Sequence, residues 1–179
     1  MRRSKRIIFK IKREAIKLVK LVNRPQYNKL FYQLLCDLGV NMGGGGKPRF
    51  ISDDVYLDDM DYSLLSIGAR VTISKGVTLL VHDFSVTQPL TMKDANIIGA
   101  CLLKPIVLNE GCFIGANCII LPGTNIGKNT IIGAGSVVKG DIPDNVVVVG
   151  NPARIVKSLD DYATKIIENE MPYIRLWEK

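Results

Sequence analysis

From Leu108 onward an apolar residue returns at every sixth position: Leu108, Ile114, Ile120, Ile126, Ile132 and Val138. The next residue is glycine at Gly115, Gly127 and Gly133, and four residues after each apolar position stand Cys112, Cys118, Thr124, Thr130, Ser136 and Ile142, nearly all small. A helix repeats near 3.6 and a strand at 2, so a strict six fits neither. It does fit short strands joined by bends. Each hexad makes one flat side of a coil, its apolar side chain points inward, a small residue fits the corner, and successive coils pair their backbones. One hexad alone cannot bury its apolar face, so the array is the folding unit. An earlier block keeps the rule with Ile67-Gly68 and Val71, Ile73 and Val77, then Leu79. Leu79 and Leu108 are not separated by a multiple of six, so the register breaks between them. Residues 84–104 are the expected loop, and loops on rigid scaffolds are where binding residues concentrate.

The flanks have a different texture. In residues 5–22, Ile8, Ile11, Ile16, Val19 and Val22 recur at spacings near three and four with Lys and Arg between them, which predicts a basic amphipathic helix. A second helix is expected over residues 26–38. Two uses fit such an arm: docking on an anionic membrane surface or acidic partner, or packing its stripe on its own domain or a sister subunit. Residues 43–46 are four glycines followed by Lys47-Pro48-Arg49, which lacks the GK[ST] of a phosphate loop and reads as a hinge or tight entry turn. After the array, Asp141-Ile142-Pro143 and Gly150-Asn151-Pro152-Ala153-Arg154 are breakers expected to end the coil. Ser158 with Asp161 forms a capping box that opens a short helix through about residue 168. The expected organisation is a basic helical arm (1–46), a coil domain (47–157) and a C-terminal helix and tail (158–179).

Composition narrows the function classes. With 179 residues, 47% of them hydrophobic and only 7% aromatic, the chain suits one globular domain with an aliphatic core. The net charge of +7 suggests nucleic acid until it is located: residues 1–24 hold ten Lys or Arg against the single acid Glu14, leaving fourteen basic and sixteen acidic side chains elsewhere. The body therefore offers no basic groove for DNA or RNA. Cys36, Cys101, Cys112 and Cys118 form no CxxC pair, and one histidine cannot complete the usual zinc cluster, so no metal site is expected. The run Ile7-Ile8-Phe9 is too short for a secretory signal, and nothing reaches the ~18 apolar residues of a spanning helix. The expected location is the cytoplasm, with the arm as the one route to peripheral contact at the inner face of the membrane.

Three pieces together resemble the hexapeptide-repeat acyltransferases over residues 50–157. They are the hexads; Ile114-Gly115-Ala116-Asn117 leading to Ile132-Gly133-Ala134-Gly135-Ser136-Val137-Val138; and the tail Gly150-Asn151-Pro152-Ala153-Arg154. The resemblance implies an all-β class, a left-handed parallel β-helix with an N-terminal helical arm and a short C-terminal helix. It points to the branch that includes maltose, galactoside, xenobiotic and capsular-polysaccharide O-acetyltransferases. Acetyl-CoA is the implied co-substrate, a sugar or glycan hydroxyl or other small molecule the acceptor, and a homotrimer with sites between neighbouring coils the assembly. The segment Val77-Thr78-Leu79-Leu80-Val81-His82-Asp83 is similar to the one that carries the family's catalytic histidine, which makes His82 the general base; an imidazole titrating near ~6.5 suits that work at neutral pH. By the same resemblance Ala116, Ala134, Lys139 and Arg154 contact the cofactor, although relatives often show Thr-Lys where this chain has Lys139-Gly140. Asp59, Asp61 and Asp83 are the acceptor-binding candidates, with Asp61 nearest the family's acidic position, while the family's acceptor-site asparagine has no counterpart. The single histidine excludes a γ-class carbonic anhydrase. A serine or antibiotic acetyltransferase and a non-catalytic β-helix scaffold stay open.

Overall fold

The structure, a computed structural model, describes residues 3–43 and 45–175, with residues 3–10 as backbone alone. The Ile8 side chain, Gly44 and the tail end at 176–179 lie outside that description. The six-residue spacing builds a coil with three flat faces. The first face stacks β1 (Phe50–Ile51), β4 (Thr72–Ile73), β9 (Phe113–Ile114), β12 (Ile131–Ile132) and β15 (Val146–Gly150). The second stacks β2 (Tyr56–Leu57), β5 (Thr78–Leu79), β10 (Ile119–Ile120) and β13 (Val137–Val138). The third stacks β3 (Leu65–Ile67), β8 (Ile106–Leu108), β11 (Asn125–Ile126) and β14 (Asp141–Ile142). Within each face every neighbour pairs in parallel.

The periodic apolar residues are the inward ones. Ile114 stacks on Ile132, Ile120 on Val138 and Leu108 on Ile126, all buried. The small residues four positions on, Cys112, Cys118, Thr124, Thr130 and Ser136, are buried at the corners. Their hydroxyls donate within the corners, Ser136 Oγ to the Gly133 carbonyl at 2.6 Å and Thr130 Oγ1 to that of Pro143 at 2.7 Å, so no lost hydrogen bond offsets the apolar burial. Gly115 is required by proximity: a Cβ there would stand 2.5 Å from the Ala134 nitrogen of the adjacent coil.

The hexad register fails at three places, and all three fall on the corner between the second and third faces. After β2 the chain inserts residues 58–64, with a single 3-10 turn at Tyr62–Leu64. After β5 it inserts residues 80–105, where β6 (His82–Asp83) and β7 (Leu102–Leu103) pair antiparallel at the loop's base and α3 (Thr87–Lys93) forms beyond them. After β13 only Lys139 and Gly140 precede β14, where residues 121–124 make the same corner one coil below. Gly140 turns at φ +86°, a left-handed conformation that costs glycine little.

This shortened corner corrects two expectations. Ile142 is not a small-residue corner position but the inward residue of β14, paired with Ile126. Asp141-Ile142-Pro143 does not end the coil either, because β15 adds a further rung on β12. The chain turns back only at residues 150–152, and β16 (Ala153–Ser158) runs antiparallel on β15. Ser158 then caps α4 (Leu159–Asn169), its Oγ accepting the Asp161 N–H at 2.9 Å as the capping box predicts.

At the other end, α1 (Arg3–Lys20) and α2 (Arg24–Asp37) form the helical arm, the latter capped by Asn23 Oδ1 accepting from the Gln26 N–H at 3.0 Å. α2 buries Tyr27, Phe31, Leu34 and Leu35 in the same apolar core as the coil, and Asn41 bridges to Ser66 as a short parallel pairing. α1 packs on α2, with Ile16 and Val19 against the core. Arg13 donates to the carbonyls of Asp53 and, at 2.9 Å, Val55, while Lys20 pairs with Asp53 at 3.0 Å. One face of the arm thus packs on its own domain. The helices lie outside the coil or in its loop, so an all-β description fits the coil alone, and no helix among the described residues is long and apolar enough to cross a membrane.

Candidate active site

Because the register breaks stack on one corner, the side chains they release converge there. Asp58 is the first residue of the lower insertion, and the pairing of Leu57 with Leu79 sets it beneath the start of the upper one. Asp58 is fully buried, and its carboxyl is almost fully used. Oδ2 accepts from the backbone N–H groups of Val81 at 2.9 Å and His82 at 3.1 Å, and Oδ1 accepts from Met60 at 3.1 Å. The same Oδ2 meets His82 Nδ1 in a short hydrogen bond. An oxygen already receiving two N–H groups acts as acceptor toward the ring as well, so Nδ1 carries the proton and donates. Nε2 is then left as the ring's free base, and the imidazole cannot swing away without stranding a buried carboxyl.

His82 keeps 23% of its side chain exposed, against 0% for Asp58. Its ring meets Phe84 edge-on, centroids 5.0 Å apart and planes at 68°, so an aromatic wall braces it from the loop side. The ring opens on a cleft of about 160 Å³ lined by Leu80, His82, Asp83, Leu102, Leu121, Pro122 and Lys139. The apolar walls from Leu80, Leu102, Leu121 and Pro122 around one held imidazole can exclude water around a proton transfer, and Asp83 and Lys139 are the charged groups of the lining.

The cleft therefore brings together three of the residues singled out from sequence, His82, Asp83 and Lys139. Asp83 does not orient His82: its carboxylate accepts from Ser85, including the backbone N–H at 2.8 Å, and these bonds, with the nearby Lys139 charge, hold its pKa below the usual carboxylate range. Asp61 sits in the lower insertion at the same corner but caps the 3-10 turn, accepting from the Ser63 N–H at 3.0 Å and Oγ at 2.6 Å; the Ser63 bonds lower its pKa. Asp59 is half-buried beside Asp58, and neither Asp59 nor Asp61 lines the cleft. Asp58, next to Asp59 in the sequence, is the residue that holds the ring.

Ala116 and Ala134 stand at the opposite end of the second face from the histidine corner, in the turns that enter β10 and β13. They stack one coil apart, with the Gly135 N–H donating to the Ala116 carbonyl at 2.8 Å. A Cβ added to Gly135 would meet nothing within 4 Å, so this corner is an open ledge bordered by small side chains. Arg154 is exposed on β16, its Nη1 donating to the Ala153 carbonyl at 2.8 Å.

Comparison with known proteins gives this geometry a context. The bacterial transferase hexapeptide (six repeats) family model matches residues 105–140. A galactoside O-acetyltransferase of Lactococcus lactis subsp. lactis (strain IL1403) is 30% identical over 175 residues, covering 86% of this chain and 81% of its own length. The protein CapG of Staphylococcus aureus is 43% identical over 132 residues, covering 74% of this chain and 73% of its own. Among solved structures, a galactoside acetyltransferase in complex with coenzyme A superposes with a TM-score of 0.56 and 25% identity, over 87% of this chain and 83% of that one.

Proposed function

The chain belongs to the hexapeptide-repeat acetyltransferases, and from that premise we propose that it transfers an acetyl group from acetyl-CoA to a hydroxyl of a sugar or glycan, with His82 as general base. The observation that carries the reading is the buried Asp58 carboxyl fixing His82 Nδ1 so that Nε2 is free beside a cleft. Acetyl-CoA supplies the acetyl group as a reactive thioester. Nε2 takes the acceptor hydroxyl's proton as its oxygen attacks, the imidazolium formed is stabilised by the carboxyl behind it, and the proton then passes to the departing thiolate.

We assign catalysis to residues 47–157, wound left-handed as in the family's coils, an exception to the usual crossover hand. The open ledge at Ala116 and Ala134 suits the pantetheine arm, and Lys139 and Arg154 suit the anionic end of the cofactor. Asp59, Asp61 and Asp83 are the acceptor-side candidates of this reading, all on the histidine corner, with Asp83 the one that lines the cleft.

The ledge and His82 lie at opposite ends of the second face, which supports a homotrimer in which the ledge of one chain faces His82 of the next. The outer surfaces favour that arrangement. Tyr56 and Ile119 on the second face and Phe50 and Phe113 on the first are exposed on either side of the ledge, in rows that also hold Thr78 and Thr72, whereas the third face shows Ser66, Val107, Asn125 and Asp141 at the corresponding positions. Four free cysteines and a co-substrate of the intracellular acyl pool fit a cytoplasmic setting.

The test follows thiol release from acetyl-CoA with a panel of hexoses and glycans for wild type and His82→Ala. Loss on the order of 10³-fold is expected in the variant. Equal turnover by the two proteins sinks the base assignment, and no acceptor-dependent release by wild type sinks the reading as a whole.

A further inference from the structure

The face of α1 turned toward the core uses Arg13, Ile16, Val19 and Lys20. The opposite face is aliphatic and bare. Ile11 is 64% exposed, Leu18 67% and Val22, just past the helix, 92%, with exposed Ala15 between them. These positions are four, three and four residues apart, one continuous stripe along about three turns. Leu21, at the same exposed end, is 83% open. Aliphatic side chains aligned this way are unfavourably hydrated over their whole length, and none of the described residues covers them.

The surroundings of the stripe define the occupant. Residues 1–24 contain ten Lys or Arg and one acid. That acid, Glu14, is already engaged by Lys17 at 2.7 Å. Lys12 is exposed beside the stripe, and on the other side Lys17 neutralises Glu14. The Arg13 and Lys20 contacts to residues 53–55 fix the helix on the coil, so the stripe stays turned outward. The stripe itself carries no hydrogen-bonding group and no aromatic anchor for a shaped protein pocket. An apolar ridge on a segment with so large a positive balance matches a fluid surface whose interior is apolar and whose headgroups are anionic. We propose that the outer face of α1 docks this protein on an anionic lipid surface, with Ile11, Leu18 and Val22 at the level of the acyl chains and the unpaired basic groups of the segment, Lys12 among them, on the headgroups.

The proposal is independent of acetyl transfer and is tested apart from it. The full chain is floated with vesicles of phosphatidylcholine alone and of phosphatidylcholine with phosphatidylglycerol, as wild type and as the double variant Ile11→Glu/Leu18→Glu. Both sites are exposed, so the variant's thermal unfolding and its activity on a soluble acceptor stay at wild-type values. Wild type is expected to bind the anionic vesicles at least ~10-fold more tightly than the neutral ones, with binding weakened by added salt, and the variant to lose at least ~10-fold. Binding to neither vesicle, equal binding to both, or unchanged binding by the variant each overturns the proposal. So does a variant that changes the size of the assembly without changing vesicle association, since the stripe then belongs to a contact between copies.

Discussion

Two corners of the same coil, built from one repeat, behave in opposite ways. Between the first and second faces, residues 74–77, 115–118 and 133–136 turn the chain in equal lengths, and each turn hydrogen-bonds the one stacked on it. Between the second and third faces, the corresponding segments are 58–64, 80–105, 121–124 and 139–140. Equal corners leave no backbone group spare and no room for side chains to converge. Unequal corners leave a notch, and in that notch a buried carboxyl, an imidazole and a lysine meet. The regular part of the repeat supplies rigidity, and the interruptions supply chemistry, because only an interruption can re-aim a side chain without unstacking the coils.

Substitutions that separate the two roles should sharpen this contrast. The largest expected effect after loss of His82 is at Asp58→Asn, which keeps the shape but presents an amide where Nδ1 needs an acceptor. kcat should fall by on the order of 10³-fold while KM for both substrates moves little, and the unfolding temperature should fall as well because a buried backbone N–H loses its acceptor; a kcat within a few-fold of wild type would leave Asp58 a purely structural residue. Next is Ile126→Ala in the regular array, expected to cost about 2–5 kcal/mol in denaturant unfolding with kcat of the folded protein unchanged. A change in kcat without a loss of stability there would break the division between the two regions. Lys139→Ala should raise KM for acetyl-CoA by about 10-fold through loss of one charged contact and leave kcat alone. The smallest effect is an absence of reaction. Burial pushes the Cys112 thiol up to about 12 and raises that of Cys118 too. A thiol raised this way holds almost no thiolate at neutral pH, so iodoacetamide should label the half-exposed Cys36 and Cys101 and spare the other pair until the chain unfolds.

The array was legible because burial imposes a strict condition at every sixth residue, and Ile67, Ile73, Leu79 and the six from Leu108 to Val138 are all buried as that condition demands. His82 stood out in the sequence as the one histidine, beside the largest break in register. Asp58 was not, because its partnership with His82 depends on the Leu57 to Leu79 pairing, and the insertion at 58–64 shifts the lower coil out of the six-residue count. Ile142 was misplaced for the mirror-image reason, since a corner two residues short moves every later residue forward. Helix α3 carries no buried side chain to leave an amphipathic trace, whereas α4 was found through its cap, a local signal that survives any change of register.

The antiparallel strand β16 has a consequence beyond closing the first face. A stack of identical parallel rungs is open-ended: its last strand offers the same unpaired groups as every strand before it, so a second molecule could add its own first rung and continue the growth. By laying a reversed strand on β15, the chain presents at that edge a direction the next parallel rung does not match. At the far end α2 fills the mouth of the coil with Tyr27, Phe31 and Leu35. The molecule is a segment of what the repeat alone would make a fibre, and its length is set by these two terminators.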